Sequence, residues 1–191
     1  GDGREKVLGI LGFGRIGRAV ARRALGFEMR VLAYDPFARE AIESDEQAEW
    51  AELDDLLRES DFVSIHTVLS DDTRHLIGER ELSLMKPSAY LINAARGPIV
   101  DEQALVRALR NEQIAGAGRD VYEHEPAMAE GLAELENAVL LPHLGSATRG
   151  TRDLMATKAA TNALAMLRGE PAPNCVNAEV YDGAAYRART A

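Results

Sequence analysis

Short apolar runs alternate along the chain with longer stretches in which apolar residues recur at every third or fourth position. The short runs predict strands and the longer stretches predict helices, because side chains repeat at every second residue along a strand and about every 3.6 residues along a helix. The predicted strands are residues 6–11, 29–34, 62–66, 89–93, 114–121 and 139–141, and the predicted helices are residues 15–25, 53–59, 79–85 and 101–111. This alternation predicts an α/β doubly wound fold, in which helices cover both faces of a parallel sheet.

The end of the chain has a different pattern. Residues 146–168 carry small and apolar side chains at helical spacing, and Gly169 follows as a C-cap, so this stretch predicts one long helix. Pro171 and Pro173 come next, and the Ala-, Gly- and Arg-rich end predicts an extended tail that buries little. We therefore divide the chain into a first domain of residues 1–145, a C-terminal helix of residues 146–170 and a tail of residues 171–191.

Composition and charge exclude several classes of protein. The chain has 191 residues, of which 46% are hydrophobic and 28% are charged, and these proportions are typical of a soluble globular protein. Its 22 basic and 31 acidic side chains give a net charge of −9, which repels nucleic acids and anionic membrane surfaces. The apolar runs are too short to span a bilayer. We expect neither a nucleic-acid partner nor a membrane partner.

The cysteine content bears on metal binding and on location. Cys175 is the single cysteine, so an intrachain disulfide is impossible. The chain has neither a CxxC nor an HExxH motif, and we expect no metal site. Such a chain suits a reducing compartment, and a cytoplasmic location is therefore expected.

A Gly-x-Gly-x-x-Gly turn lies between the first predicted strand and the first predicted helix. Gly12 permits the tight turn, Gly14 lets the backbone approach a pyrophosphate, and Gly17 lets the helix lie close to the strand. Free backbone amides and the helix dipole favour phosphate at this point, and Arg15 adds a positive charge. The motif in this context predicts a dinucleotide-binding site.

The residue that follows the second predicted strand indicates which dinucleotide is bound. Asp35 is placed where a carboxylate can accept hydrogen bonds from both hydroxyls of the adenosine ribose. A 2′-phosphate would be repelled by this carboxylate, so the residue predicts NAD rather than NADP. Arg39, a short distance further on, is a cation that could instead favour the phosphate.

Several motifs in their order along the chain resemble the D-isomer-specific 2-hydroxyacid dehydrogenase family, and most closely its glyoxylate and hydroxypyruvate reductase members. The matching stretches are residues 8–17, 66–69 with Thr73, 93–97, 100–101, 115–117, 120–126 and 141–148. They include Asn-Ala-Ala-Arg-Gly, Asp-Val-Tyr-Glu-His-Glu-Pro and Leu-Pro-His-Leu-Gly-Ser-Ala-Thr. The resemblance implies a Rossmann-type NAD-binding domain that serves hydride transfer between NADH and a small 2-oxo or 2-hydroxy acid.

The resemblance also assigns catalytic roles to three residues. Arg96 would bind the substrate carboxylate, and its guanidinium suits the task because it stays charged and binds a carboxylate through two parallel hydrogen bonds. His143 would act as the acid or base, with Glu125 as its partner. A carboxylate beside an imidazole favours the protonated form, which could donate to the carbonyl oxygen of the substrate.

A larger set of residues would contact the cofactor if the resemblance holds. The set is Gly12, Gly14, Arg15, Ile16, Gly17, Asp35, His66, Thr67, Val68, Thr73, Ala94, Ala95, Asp120, His143 and Gly145. Within it, Asp120 would hydrogen-bond the nicotinamide carboxamide.

Two positions depart from the family pattern: Val68 stands where proline is common, and Arg119 stands where an apolar residue usually precedes the aspartate. A charge on a buried strand is costly unless it is paired, and the sequence does not indicate a partner for Arg119.

The family resemblance also implies parts that the sequence does not contain. Its members carry a substrate-side domain upstream of the dinucleotide domain, and this chain opens on glycine close to its first predicted strand. We therefore expect it to derive from a longer protein, and we expect a homodimer. Two alternatives stay open. One is a dinucleotide-sensing module, as in transcriptional corepressors, and the other is a phosphoglycerate or formate dehydrogenase, against which the Arg-Gly-Glu-Pro-Ala-Pro stretch at residues 168–173 weighs.

Overall fold

The first part of the chain forms one sheet of seven parallel strands in the order β3-β2-β1-β4-β5-β6-β7. The computed structural model describes residues 4–183. The strands are β1 (Val7–Leu11), β2 (Arg30–Tyr34), β3 (Glu49–Trp50), β4 (Phe62–Ile65), β5 (Tyr90–Asn93), β6 (Gly116–Arg119) and β7 (Ala138–Leu140). The predicted α/β doubly wound fold is confirmed.

Helices connect the strands of this sheet. They are α1 (Arg15–Ala24), α2 (Arg39–Glu43), α3 (Leu53–Glu59), α4 (Glu79–Leu84) and α5 (Glu102–Arg110), with 3-10 turns at Leu25–Phe27, Gly97–Ile99 and Leu132–Glu134. Asp101 caps α5, because its carboxylate accepts a hydrogen bond of 2.9 Å from the backbone amide of Ala104. The start of the helix predicted at residues 101–111 is thus fixed by an N-cap at Asp101.

Three details of the sheet unit differ from the sequence prediction. The sequence predicted neither α2 nor β3. The strand β3 pairs with β2 at only two positions and owes its strand conformation to that neighbour. The sixth strand is shorter than the predicted 114–121 and runs from Gly116 to Arg119. Its partners on either side, β5 and β7, set these limits.

Apolar clusters on the two faces of the sheet hold the helices in place. Leu8 and Ile10 of β1 pack with Ala21 of α1, whereas Leu11 belongs to a larger cluster that includes Leu56 of α3. This alternation follows from the period of two along a strand. A Cβ atom at Gly9 would overlap the side chains of Leu56 and Ser60, at the end of α3. Glycine at this position therefore lets α3 pack directly on β1.

Arg119, for which the sequence indicated no partner, is paired in the structure. Its side chain is 0% exposed and lies on β6, and its Nη2 atom is 3.0 Å from Oε1 of Glu102, whose side chain is 2% exposed. Glu102 is the first residue of α5, and the packing of α5 beside β6 brings the two charges together. Pairing of this kind offsets the cost of burying each ion.

The contacts divide the chain into two units, Gly1–Gly145 and Ser146–Ala191, and the second contains one long helix. α6 (Arg149–Leu167) begins three residues later than the predicted 146–168, because Thr148 is its N-cap and accepts a hydrogen bond from the Thr151 amide. Gly169 ends the helix in the left-handed region, at φ +73°, as predicted for a C-cap.

The tail predicted to be extended contains a short 3-10 helix at Ala178–Asp182, so that expectation is wrong there. The hydroxyl of Tyr181 accepts a hydrogen bond of 2.9 Å from the backbone amide of Ala172, a contact that the composition of the tail could not indicate. The last part of the predicted tail, residues 184–191, lies outside the described residues. Between residues 4 and 183, no helix combines the length and the apolar character needed to cross a membrane.

Candidate functional site

The predicted site residues follow the carboxyl ends of different strands. Because all seven strands are parallel, these ends lie along one edge of the sheet. The strand order changes direction between β1 and β4, and ligands of doubly wound folds bind in the crevice at such a point. The topology therefore gathers residues that are far apart in the sequence.

The glycine turn after β1 has the shape that its motif predicts. Gly12 has φ +92°, its amide donates a 2.9 Å hydrogen bond to the carbonyl of Tyr34, and a Cβ there would lie 2.6 Å from the backbone nitrogen of Thr67. A Cβ at Gly17 would overlap the carbonyl oxygen of Gly12. A Cβ at Gly14 would meet no described atom within 4 Å. Close packing thus requires two of the glycines, and the third leaves the backbone open to a ligand.

Asp35 is held rigidly at the end of β2. Its Oδ2 accepts a hydrogen bond of 2.9 Å from the amide of Phe13, and its Oδ1 accepts one of 3.1 Å from Phe37. The carboxylate lines a cavity of about 420 Å³ together with Gly12 and Gly14. Arg39, which could have favoured NADP, is held elsewhere: it pairs with Glu43 at 2.8 Å and its guanidinium lies 5.0 Å from the ring centroid of Trp50.

A second cavity of about 410 Å³ joins residues from three strand ends. Its lining consists of Ile16, His66, Thr67, Val68, Leu69, Ala94, Ala95 and Arg96. Thr67 also lines the cavity beside Asp35, and its Oγ1 atom is buried with no hydrogen-bond partner among residues 4–183. A buried hydroxyl without a partner fits a site that hydrogen-bonds a bound polar molecule, so these residues fit the predicted dinucleotide.

The loop after β4 is held by Thr73. Its Oγ1 donates a hydrogen bond of 2.7 Å to the carbonyl of Val68 and accepts one of 2.8 Å from the amide of Ser70. Val68 is 79% exposed and occupies the position where the family commonly has proline. The hydroxyl of Thr73 therefore supplies a constraint on the loop that proline would otherwise provide.

Arg96 is presented by a turn that Asn93 organises. Asn93 is fully buried at the end of β5; its Nδ2 donates to the carbonyl of Arg96 at 2.9 Å, and its Oδ1 accepts from the amide of Ala95 at 3.0 Å. A Cβ at Gly97 would overlap the carbonyl of Tyr122, so glycine is required there. The sequence alone assigned no role to Asn93 or Gly97. Their place in the Asn-Ala-Ala-Arg-Gly motif, on either side of Arg96, is the feature that could have indicated a role in shaping the turn.

His143 and Glu125 lie against each other. The Nδ1 atom of His143 is 3.2 Å from Oε2 of Glu125, while Oε1 of Glu125 accepts a hydrogen bond of 3.1 Å from the amide of Tyr122. The Tyr122 amide, the His143 side chain and the charge of Arg96 together lower the pKa of Glu125 below its ordinary value. The structure thus brings two of the three predicted catalytic residues into contact, with side chains 40% exposed at Glu125 and 53% at His143, and the charge of Arg96 acts on Glu125.

Asp120 holds the turn on which His143 lies. Its two carboxylate oxygens accept hydrogen bonds of 2.6 Å from the amide of Leu144 and 2.8 Å from the amide of Gly145. His143 has φ +55°, a conformation that only local hydrogen bonds or packing make favourable for a residue with a Cβ. Asp120 therefore positions His143, and its predicted contact with the nicotinamide carboxamide stays a prediction.

His66 is half-buried between the two cavities, with its Nε2 atom 2.9 Å from Oγ of Ser64. Burial lowers the pKa of His66 from the ordinary value of 6.5, so the folded protein keeps the ring neutral where the unfolded chain takes up a proton. The unfolded state then binds more protons, and His66 lowers the free energy of unfolding as the pH falls below the ordinary value.

We expect His66→Asn to remove the contribution of His66 to the pH dependence of the free energy of unfolding. This contribution amounts to at most about 1.4 kcal/mol per pH unit. The measurement is the free energy of unfolding in urea at about pH 7 and about pH 5.5. His124→Asn alters an exposed loop histidine and is the matched control, expected to keep the parental pH dependence. A parental dependence that survives in His66→Asn contradicts the prediction.

The geometry of the site does not indicate a metal. Among residues 4–183, no group of three or more histidine, cysteine, aspartate or glutamate side chains is arranged to hold a metal ion. The charged and polar side chains at the carboxyl edge of the sheet instead fit an organic cofactor and a small anionic substrate.

Comparison with known proteins identifies the family. The model of the D-isomer-specific 2-hydroxyacid dehydrogenase NAD-binding domain matches residues 2–145. A glyoxylate reductase of Thermococcus gammatolerans is 53% identical over 175 residues, which cover 92% of this chain and 52% of the relative. The chain thus spans about half the length of the curated relatives it matches.

Solved structures agree with this assignment. A Thermus thermophilus protein aligns with a TM-score of 0.82 at 45% identity, over 92% of this chain and 55% of its own. The NAD-complexed D-isomer-specific 2-hydroxyacid dehydrogenase of Lactobacillus delbrueckii aligns with a TM-score of 0.78 at 34% identity, over 90% of this chain and 56% of its own. The chain belongs to the D-isomer-specific 2-hydroxyacid dehydrogenase family, and residues 2–145 form its NAD-binding domain.

Proposed function

We propose that this chain supplies the cofactor site and the acid–base residues of an enzyme that reduces glyoxylate with NADH. The observation that carries the proposal is the contact between His143 and Glu125, with the charge of Arg96 close enough to act on Glu125. These residues follow the ends of strands on the same edge of the sheet as the glycine turn. Side chains for substrate binding and proton transfer therefore accompany the dinucleotide site.

The cofactor would be held by the glycine turn and the residues around it. Gly14 lets the pyrophosphate approach the start of α1, and Asp35 is placed to accept hydrogen bonds from the ribose hydroxyls. The unpartnered Oγ1 of Thr67 can hydrogen-bond the cofactor between the two cavities. When bound, NADH supplies the hydride that reduces a carbonyl group.

The side chains of this chain would perform the remaining steps. Arg96 binds and orients the substrate carboxylate through its guanidinium. His143 donates a proton to the carbonyl oxygen of the substrate, and Glu125 stabilises the protonated ring. Because the pKa of Glu125 is lowered, its carboxylate stays ionised and available to His143 throughout the neutral range.

The proposed substrate is a small 2-oxo acid, with glyoxylate first and hydroxypyruvate second. Curated relatives with 52–53% sequence identity are named glyoxylate reductases, which supports glyoxylate over the substrate of a phosphoglycerate dehydrogenase. A homodimer and a cytoplasmic location accompany the proposal. The homodimer is supported by the family resemblance, and the location by the single cysteine, which suits a reducing compartment.

The experiment measures oxidation of NADH by the protein at its full natural length in the presence of glyoxylate, hydroxypyruvate or 3-phosphohydroxypyruvate. Since the present chain spans about half the length of its curated relatives, we expect it to bind NADH by itself and to turn over weakly or not at all. For the full-length protein we expect turnover of the first two substrates, and we expect NADH to be preferred to NADPH because Asp35 repels a 2′-phosphate. Faster turnover of 3-phosphohydroxypyruvate would overturn the substrate assignment in favour of phosphoglycerate dehydrogenase. Tight NADH binding by the full-length protein without turnover of any 2-oxo acid would instead favour a dinucleotide-binding module.

A further inference from the structure

Glu125 lies on a stretch of chain that has no buried side chain and only one partly buried apolar contact with the core, made by Ala129. From residue 123 to residue 131, every side chain is exposed or partly exposed. The nearest buried side chains are Tyr122 at one end and Leu132 at the other. Packing therefore fixes mainly the ends of this stretch, and hydrogen bonds fix the backbone around Glu125.

A single buried carboxylate supplies hydrogen bonds near both ends. Oε1 of Glu102 accepts from the amide of Glu123 at 3.3 Å, and its Oε2 accepts from the amide of Ala129 at 2.8 Å. In return, the amide of Glu102 donates to Oε2 of Glu123 at 3.3 Å. The loop that carries Glu125 is thus tied at two points to the first residue of α5.

Arg119 completes this arrangement from the end of β6. Its Nη2 donates to Glu102 at 3.0 Å, and its Nε and Nη2 donate to the carbonyl of Val121 at 3.3 and 3.1 Å. The guanidinium compensates the negative charge of Glu102, which burial would otherwise make costly. It also fixes the chain just before the loop begins.

We propose that Glu102, charge-paired with Arg119, is a positioning residue that holds Glu125 against His143. The contacts place Glu102 away from the cofactor and substrate cavities, so it acts through the loop backbone. Once the loop is held, the amide of Tyr122 and the ring of His143 meet the two oxygens of the Glu125 carboxylate. The chemical consequence for the reaction rests on the proposed function, whereas the structural consequence for Glu125 does not.

The test replaces Glu102 with glutamine in the full chain. Glutamine keeps the shape of the side chain, but its amide nitrogen cannot accept. Either the Ala129 amide loses its acceptor, or the Glu123 amide and Arg119 both lose theirs, depending on the orientation of the glutamine amide. The readout is the titration of the Glu125 carboxyl carbon by ¹³C NMR, assigned by its absence in Glu125→Gln. We expect the pKa of Glu125 to rise towards its ordinary value, because its contacts with Tyr122 and His143 loosen.

A core variant serves as the control for a merely structural effect. Ile42→Ala removes a buried side chain from the opposite apolar cluster, so it lowers stability and should leave the titration of Glu125 unchanged. Should Glu102→Gln fail to fold, the double variant Glu102→Gln with Arg119→Met gives the same readout, since it removes the carboxylate and its cation together and leaves no unpaired buried charge. An unchanged Glu125 titration in either folded variant overturns the proposal.

Turnover provides a second measurement that separates this proposal from the function itself. With glyoxylate and NADH, Glu102→Gln should lower kcat by about tenfold, because a small displacement of an acid–base group reduces the rate strongly, while KM changes little. If the protein at its full natural length does not reduce glyoxylate, the proposed function fails and the titration of Glu125 still decides the role of Glu102.

Discussion

His143→Ala is expected to lower kcat for glyoxylate reduction by about 10²- to 10⁴-fold, the contribution that a positioned general acid makes to such reactions. The substitution removes the donor 3.2 Å from Glu125 and leaves the glycine turn and Asp35 intact. NADH binding should therefore persist, which fluorescence titration of NADH can measure alongside steady-state kinetics. A loss of rate with retained binding would place the effect on the chemical step.

The control for this prediction is another histidine of the same region. His124→Ala changes an exposed side chain next to Glu125 in sequence and should retain parental kcat. Glu125→Gln should lower kcat less than His143→Ala, because the ring that donates the proton remains and loses only the carboxylate that favours its protonated form. Parental turnover in His143→Ala would refute the assignment of the proton donor.

Arg96→Ala is expected to lower kcat/KM for glyoxylate by about 100-fold or more, since two charge-assisted hydrogen bonds to a carboxylate contribute roughly 3 kcal/mol. Arg96→Lys should recover only part of this loss, because lysine keeps the charge but cannot form two parallel hydrogen bonds. Steady-state kinetics over a range of glyoxylate concentrations measure both effects. The turn built by Asn93 is a backbone feature and should survive either change.

An arginine outside the site distinguishes loss of binding from a general effect of charge. Arg22 is exposed on α1, and Arg22→Ala should leave kcat/KM at the parental value. Arg96→Ala should also raise the pKa of Glu125, because the guanidinium charge contributes to lowering it. A variant Arg96→Ala with parental kcat/KM would exclude Arg96 as the carboxylate-binding residue.

The features that the sequence predicted well depend on local patterns. The strands and main helices follow the spacing of apolar residues, and the start of α5 and the end of α6 follow from the caps Asp101 and Gly169. The glycine turn could be predicted because each glycine answers a local requirement of the strand–turn–helix unit. These signals lie within a few residues of the structure they determine.

Other features arise from contacts between distant residues. The two-residue strand β3 exists because β2 offers it hydrogen bonds, and no apolar pattern in Glu49 and Trp50 indicates it. The role of Thr73 in closing its loop depends on backbone atoms whose positions follow from the fold. The 3-10 helix at Ala178–Asp182 likewise includes Tyr181, which contacts the backbone of Ala172.

Arg119 shows most clearly the difference between what the sequence determines and what the tertiary structure determines. By itself, the sequence determined the family, the dinucleotide turn and the identity of Arg96, Glu125 and His143 as candidates, because these rest on motifs read along the chain. Only the tertiary structure decided that Arg119 pairs with Glu102 and that Asp120 supports the turn of His143. The reason is physical: a buried charge requires a partner, and the fold selects that partner from distant parts of the chain.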